Sequence, residues 1–352
     1  MIKYILLFLV VISCSVSQAT VRTVNNYITN SAQFSTVQPA ITASATNDTI
    51  YLHGSPVSYG DFTITKRLVI IGAGYYLSNT INNYTTLVGN ITIDTVSVNQ
   101  ALSGLTLQGL TINGQISNAG TDRANNVLID RCKVSNITIT GSNWIIKNSF
   151  GSPSFGISSI SSNVLISNNI FQTLTISNGS SLISYATGVK VSNNELGLFY
   201  MNPCFYILCV NNIVKNYTSS GATYVANNTF SRNITFTDGG PSINFPPTNN
   251  TGSGNFNNIN PLYINYSCPW PNAHYSGDLL SYDFNYQTGS VAINGGTDST
   301  NIGISGGPYP TLTTKIFDGR TKIPLVTDVN IENAYVKPGQ SIQIHFKARK
   351  NN

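Results

Sequence analysis

The sequence predicts an all-β chain wound as a parallel β-helix, and three observations carry that prediction. The first is a degenerate repeat in the middle third, an apolar strand ending in a pair of small polar residues. It reads Val127-Leu128-Ile129-Asp130-Arg131-Cys132, Trp144-Ile145-Ile146-Lys147-Asn148-Ser149, Val164-Leu165-Ile166-Ser167-Asn168-Asn169, Val189-Lys190-Val191-Ser192-Asn193-Asn194 and Thr223-Tyr224-Val225-Ala226-Asn227-Asn228, with a weaker copy at Leu208-Cys209-Val210-Asn211-Asn212. The second is the interval. Registered on Ile129, Ile146, Ile166, Val191, Val210 and Val225, the copies recur after 17, 20, 25, 19 and 15 residues, too short for a strand plus a helix. A spacing near twenty that varies by several residues fits coils of a solenoid. The third is composition: 9% of the 352 residues are charged, against about 25% in an ordinary soluble domain. Polarity comes from Asn, Ser, Thr and Tyr, which hydrogen-bond along ladders where like charges would repel at every rung.

Taken in order, residues 1–19 read as a secretory signal peptide, with Lys3, an apolar run from Tyr4 to Ile12, and Ser17-Gln18-Ala19 before a cut ahead of Thr20. A less favoured reading makes Val11-Ile12-Ser13-Cys14 a lipoprotein box anchored through Cys14, but its hydrophobic core is short. No later run reaches the roughly 18 apolar residues that cross a bilayer. The expected location is extracellular or at the cell envelope.

Residues 20–76 read as an N-terminal cap and first rung. Phe34, Val37 and Ile41 recur at helical spacing between Ser31 and Ala45, and Pro39 limits how far upstream that helix runs. Thr49-Ile50-Tyr51-Leu52, Phe62-Thr63-Ile64-Thr65 and Leu68-Val69-Ile70-Ile71 supply the first strands. The body spans 77–260, where coils averaging about nineteen residues predict nine or ten rungs about 4.8 Å apart. The anchor column and the position two before it face inward. The Asn pairs suit tight corners and can bond from rung to rung. Leu128, Ile145 and Leu165 form an outward apolar strip that needs cover.

Residues 261–352 are irregular and end in a β-hairpin, Val326–Val336 with Ser341–Ala348, turning at Lys337-Pro338-Gly339-Gln340. Its Ile342, Ile344 and Phe346 are the expected cover for the apolar strip. Export permits a disulfide between Cys204 and Cys209, yet Cys132 sits in a slot held by Ser149, Asn169 and Asn194 in other copies and reads as a small ladder residue.

Two end motifs are more specific than the rungs. Ser58-Tyr59-Gly60-Asp61-Phe62-Thr63-Ile64-Thr65-Lys66 leads into Ile70-Ile71-Gly72-Ala73-Gly74-Tyr75, and Gly289-Ser290-Val291-Ala292-Ile293-Asn294-Gly295-Gly296-Thr297-Asp298 leads into Ile302-Gly303-Ile304-Ser305-Gly306-Gly307. Both resemble the ends of secreted bacterial right-handed parallel β-helix proteins of the pectin-lyase-like superfamily. The resemblance implies a right-handed β-helix exported to the envelope or beyond it, and little about chemistry.

The enzymes of that superfamily act mainly on acidic polysaccharides. Their hydrolase motifs are missing: the chain has no adjacent aspartates, and His53, His274 and His345 follow Leu, Ala and Ile, so no Gly-His-Gly exists. Arg131-Cys132-Lys133 spells Arg-x-Lys alone. Calcium needs six to eight oxygens, and from 100 to 235 the acids are Asp122, Asp130 and Glu195; the register sets Asp130 and Glu195 three rungs, roughly 14 Å, apart, while Asp122 and Asp130 can approach across a corner. Lys147 stacks one rung beyond Asp130, which makes an ion pair the default role of that acid. The remaining charged cluster, Asp122, Arg123, Asp130 and Arg131, is the candidate glycan contact. The net charge of +5 without a basic run excludes nucleic acid as a partner. No cofactor, metal site or catalytic residue is assigned. The reading is an exported, non-enzymatic scaffold, adhesin or glycan-binding protein whose partner is a polysaccharide or cell-surface glycan; the alternative is a polysaccharide lyase or glycoside hydrolase with an unrecognised site.

Overall fold

A computed structural model describes residues 19–27, 32–75, 84–94, 102–120, 122–237, 239–266 and 282–310, together with the backbone of the strands Leu325–Ile331 and Ile344–Arg349. The signal-peptide segment lies outside the described residues.

The chain coils into parallel sheets. A first sheet of ten strands runs from Val21–Val24 through Leu128–Asp130, Ser142–Lys147 and Ser162–Ser167 to Thr229–Ser231, and a second sheet has twelve strands, among them Phe62–Ile64, Ile91–Ile93, Gln115–Asn118 and Lys133–Ile139. A third, interrupted face holds short pairs such as Ala124–Asn125 on Leu102–Ser103 and Val225–Ala226 on Cys204–Phe205. The fold is a parallel β-helix with one small helix at its N-terminal end.

The core follows from the period-two alternation of each strand. Ile50, Ile70, Leu107, Ile129, Ile146, Ile166, Val191, Cys209 and Phe230 stack in one inward column of the first sheet. Phe62, Ile91, Ile116, Ile137, Phe155, Ile176 and Met201 do the same on the second. Each buried aliphatic or aromatic side chain contributes about 1.5–3 kcal/mol, so the two facing columns hold every coil closed.

The expected column holds as far as Val191 and then departs. Val191 pairs with Cys209, not Val210, which lies beside Ser192. Val225 belongs to the third face opposite Cys204, and Phe230 takes the inward place. After residue 81 the described residues show eight rungs of the second sheet, from Ile91–Ile93 to Ile234–Thr235, and bridges of Thr229 to Thr251 and Ile234 to Phe256 start one more coil, against the nine or ten rungs expected.

The two corners flanking the first sheet explain the asparagines. At the second corner, Arg131, Asn148, Asn168, Asn193, Asn211 and Arg232 all adopt left-handed backbone, with φ between 49° and 58°, which Asn tolerates better than other residues carrying a Cβ. The residue after each is buried and faces along the stack. Asn169 donates through Nδ2 to Asn194 Oδ1 (3.0 Å), Asn194 to Asn212 (2.9 Å), Asn212 to Asn233 (3.0 Å) and Asn233 to Asn255 (3.1 Å). Cys132 and Ser149 continue this slot toward the N-terminus: Ser149 accepts from the Cys132 N–H, and its own N–H donates to Asn169. Asn228, expected in the same ladder, lies at the other corner and pairs with Asn250 (2.8 Å).

The cap helix is Val37–Ala43, with Val37, Ala40 and Ile41 buried. Pro39 is its third residue, where the missing N–H would have had no helical partner. Phe34 is not on the helix; it bridges Val24 and packs against the core edge. Asp48 fastens the first strand, accepting from the Thr20 N–H (2.8 Å) and Ala45 N–H (2.9 Å) beside Arg22 Nε (3.5 Å). Cys132, Cys204 and Cys209 are buried free thiols, so the Cys204–Cys209 bridge is not formed; Cys268 lies outside the described residues.

The C-terminal part is a strap laid on the outside of the coil. Asn211, Asn193 and Asn168, the left-handed residues of successive rungs, each hold one piece of it. Asn211 bonds Thr297 (Nδ2 to Oγ1 3.2 Å; Thr297 N–H to Oδ1 2.9 Å), Asn193 donates to the carbonyls of Asn301 and Gly303, and Asn168 donates to those of Ile304 and Gly306. Tyr309 then meets Lys147, whose Nζ lies 4.2 Å from the ring centre. Further along the chain, Leu325–Ile331 pairs antiparallel with Ile344–Arg349; the rest of the expected Val326–Val336 and Ser341–Ala348 strands and their turn at Lys337-Pro338-Gly339-Gln340 lie outside the described residues. The side chains of both strands lie outside them too, and so does their expected contact with the half-buried Leu128, Ile145 and Leu165.

Candidate functional site

The four charged residues named from the sequence fall at two different corners. Asp122 and Arg123 precede the third-face strand Ala124–Asn125, whereas Asp130 and Arg131 end the first-sheet strand Leu128–Asp130. The structure therefore joins them only as two pairs across the width of one sheet. Arg123 is exposed; Arg131 takes the left-handed corner position that other rungs give to Asn. Asp130 stands in register with Lys147 as expected, but no ion pair joins them. Its carboxylate is 7% exposed and accepts from Asn148 Nδ2 (3.0 Å) and Gln108 Nε2 (3.3 Å), while Lys147 turns to Tyr309.

Glu195, the third scattered acid, proves fully buried. It occupies the outward first position of its strand between Ile170 and Ile213, in a column continued by Phe150 and Ile234. The strap covers this column with Tyr263, Phe284, Ala292, Ile302 and Ile304, a second small core outside the coil. Tyr263 donates its hydroxyl to Glu195 Oε2, and Tyr286 donates to Ile302 O (2.6 Å) and lies 3.4 Å from Glu195 Oε1. Burial, with the Glu195 carboxylate beside it, pushes the Tyr286 hydroxyl far above its ordinary pKa. Gly303 is required here: its φ is +80°, and a Cβ would lie 2.5 Å from both Glu195 Oε1 and the Tyr286 oxygen. Lys215, 2% exposed, sits over Tyr266 with Nζ 4.2 Å from the ring centre. This buried cluster clamps the strap.

The open site lies at the other end. A groove of about 540 Å³ runs over the outer face of the second sheet across its first three strands, lined by Gln38, Asp61, Phe62, Thr63, Asn90, Thr92, Gln115 and Ser117. Its geometry comes from a second repeat, Asp61-Phe62-Thr63-Ile64, Asn90-Ile91-Thr92-Ile93 and Gln115-Ile116-Ser117-Asn118, in which the apolar second residue turns inward and the first and third face out. Thr63, Thr92 and Ser117 thereby form a column of hydroxyls one rung apart. The pattern continues at Asn136-Ile137-Thr138-Ile139, where Asn136 pairs with Gln115.

The polar side chains are held differently. Asp61 accepts the Asn90 N–H (2.7 Å) and Asn90 Nδ2 (2.9 Å), and Asn90 Oδ1 accepts the Gln115 N–H (3.0 Å). The Asn90 side-chain amide, with its N–H, holds the Asp61 carboxyl below the usual carboxylate range. Gln38 of the cap helix closes the end by pairing with both backbone groups of Thr63, at 2.9 and 3.2 Å. That amide acts as a substitute strand on an edge that would otherwise be open. Among the described residues, the hydroxyls of Thr63, Thr92 and Ser117 and the Gln115 side-chain amide find no hydrogen-bond partner, and these residues line the groove.

Charge does not mark this site, whose lining is mostly uncharged Thr, Ser, Asn and Gln. The signal was present as a polar-apolar-hydroxyl triplet repeated at successive coils. Among the described residues, no group of three His, Cys, Asp or Glu converges as metal ligands, and no helix is long and apolar enough to cross a membrane.

The stacked parallel sheets, corner ladder and capped first rung define the class to which the molecule belongs, the parallel β-helix proteins. The sequence matches no protein-family model and no curated protein.

Proposed function

We propose that this chain is an exported, non-catalytic glycan-binding scaffold of pectin-lyase-like type, cut before Thr20 and displayed outside the cell or at its envelope. The observation that supports the reading is the groove over the first three second-sheet strands, whose unsatisfied groups are hydroxyls and an amide. Such groups bind polyhydroxylated chains by hydrogen bonding. Acid–base cleavage needs two titratable groups placed about a bond, and the groove lining offers the single carboxylate of Asp61, already engaged by Asn90.

The test is to incubate the purified mature protein with a panel of insoluble and soluble polysaccharides, scoring retention together with new reducing or unsaturated ends. Retention without new ends is the expected result. New ends would establish the lyase or hydrolase alternative and end the scaffold reading.

A further inference from the structure

Resting on the glycan-binding reading, we infer that the groove takes a neutral glycan and excludes acidic ones, with the sugar chain running along the coil axis. The charge argument comes first. Among the described residues, Asp61 is the one ionisable side chain in the lining, which holds no Lys or Arg. Both carboxylate oxygens already accept hydrogen bonds from Asn90, which keeps the group ionised. A uronate or sulfate entering the groove would therefore meet a fixed like charge with no guanidinium or ammonium to offset it. Recognition of carboxylate-bearing chains calls on Arg or Lys.

The hydrogen-bonding argument points the same way. A neutral sugar presents hydroxyls that both donate and accept, and Thr63, Thr92 and Ser117 offer groups of the same kind. These side chains share one column, in register from strand to strand. Adjacent members stand one strand spacing apart, about 4.8 Å. A ligand contacting successive members must lie parallel to the coil axis, so affinity should grow with the number of sugar units up to the length of the groove. Gln38, fixed by its two bonds to Thr63, sets the boundary at the cap end. At the far end the pattern continues to Asn136 and Thr138, which leaves room for extension.

Titration calorimetry on the mature protein tests this with the neutral hexasaccharides of cellulose, xylan, mannan and β-1,3-glucan, and with hexagalacturonate. The variants are Thr63→Val with Thr92→Val, which removes two hydroxyls at constant shape, and Asp61→Asn, which removes the charge. At least one neutral hexasaccharide should bind more tightly than its disaccharide, which is too short to reach three rungs about 4.8 Å apart. The double valine variant should weaken it about tenfold, since each net hydrogen bond is worth roughly 0.5–1.5 kcal/mol. Hexagalacturonate should not bind the wild type, and Asp61→Asn should raise its affinity. If hexagalacturonate binds the wild type and the double variant abolishes that binding, the groove is the site and the neutral assignment is wrong. If no sugar binds, or binding ignores the double variant, the glycan-binding reading of the groove falls. Unchanged thermal melting of both variants shows that they are folded.

Discussion

Asn194 engages its whole side-chain amide in the ladder. Its Oδ1 accepts the Asn169 N–H and Asn169 Nδ2, and its Nδ2 reaches the Ile166 and Ser192 carbonyls and Asn212 Oδ1. Replacing it by Ala strands several buried partners, and each buried group left unsatisfied costs about 1–3 kcal/mol. Asn194→Ala should therefore lower unfolding stability by at least about 2 kcal/mol in a denaturant titration. Asn143→Gly, which keeps the left-handed backbone (φ 60°) and removes the exposed amide that donates to Asn126 (3.0 Å), should cost less than about 1 kcal/mol because water replaces the lost partner. Equal costs would mean that burial does not set the ladder's value.

Asp48 gives a prediction with a pH sign. The Thr20 N–H, then the Ala45 N–H and the Arg22 charge, lower its pKa against the opposing effect of burial. A carboxyl with a depressed folded pKa stabilises fully above its unfolded value, about 3.9, and loses that contribution as the pH falls through the folded value. Between about pH 4 and pH 2 the wild type should lose melting temperature more steeply than Asp48→Asn. Parallel slopes would show that Asp48 does not fasten the cap. The three described thiols make a simpler case: burial raises Cys132 and Cys204 to about 12, and Cys209 well above its ordinary value. A thiol reagent at pH 8 should label them only after unfolding, since the thiolate is the reactive form.

Among the elements, the strap and the first-sheet register show what was and was not legible in the chain. The strands from Ile129 to Val191 were readable because apolar alternation and the polar pair agreed there. At Leu208-Cys209-Val210-Asn211-Asn212 they disagree by one residue, apolarity pointing to Val210 and the Asn pair to Cys209. The fold followed the asparagines, because the left-handed corner and the buried ladder admit few other residues, whereas the inward slot accepts Cys. Asn227-Asn228 misled for a related reason: both corners of the first sheet use left-handed Asn, and local sequence does not say which corner is meant. The strap was not legible at all. Its bonds to the coil join residues 68 to 138 positions apart, and no local pattern encodes such pairings. Its dependence on the corner is testable. Asn211→Gly, which keeps the left-handed corner, removes both side-chain contacts with Thr297, and Tyr286→Phe removes the bonds to Ile302 and Glu195. Each should accelerate amide hydrogen exchange across 293–307 while leaving the strands from Ile91 to Ile166 unchanged. Exchange rising evenly over the whole chain would indicate that strap and coil open together.

At the scale of the whole molecule, the scarcity of charge has a structural origin and a functional consequence. A coil whose outer columns repeat every rung must fill them with groups that tolerate their own kind as neighbours, hence Thr over Thr and Asn over Asn. The same rule that builds the stack leaves a face of regularly spaced hydroxyls near the cap. The fold class was readable from that economy of charge. The groove was not singled out, because its residues are the commonest in the chain, and only their alignment across three coils distinguishes them. Hydrogen exchange with and without the neutral hexasaccharide bound most tightly tests that alignment directly. Slowed exchange should be confined to Phe62–Ile64, Ile91–Ile93 and Gln115–Asn118, with extension to Lys133–Ile139 for longer chains. Protection centred on Asp122–Arg131, or on the outward strip of Leu128, Ile145 and Leu165, would place the glycan elsewhere and contradict the assignment of the groove.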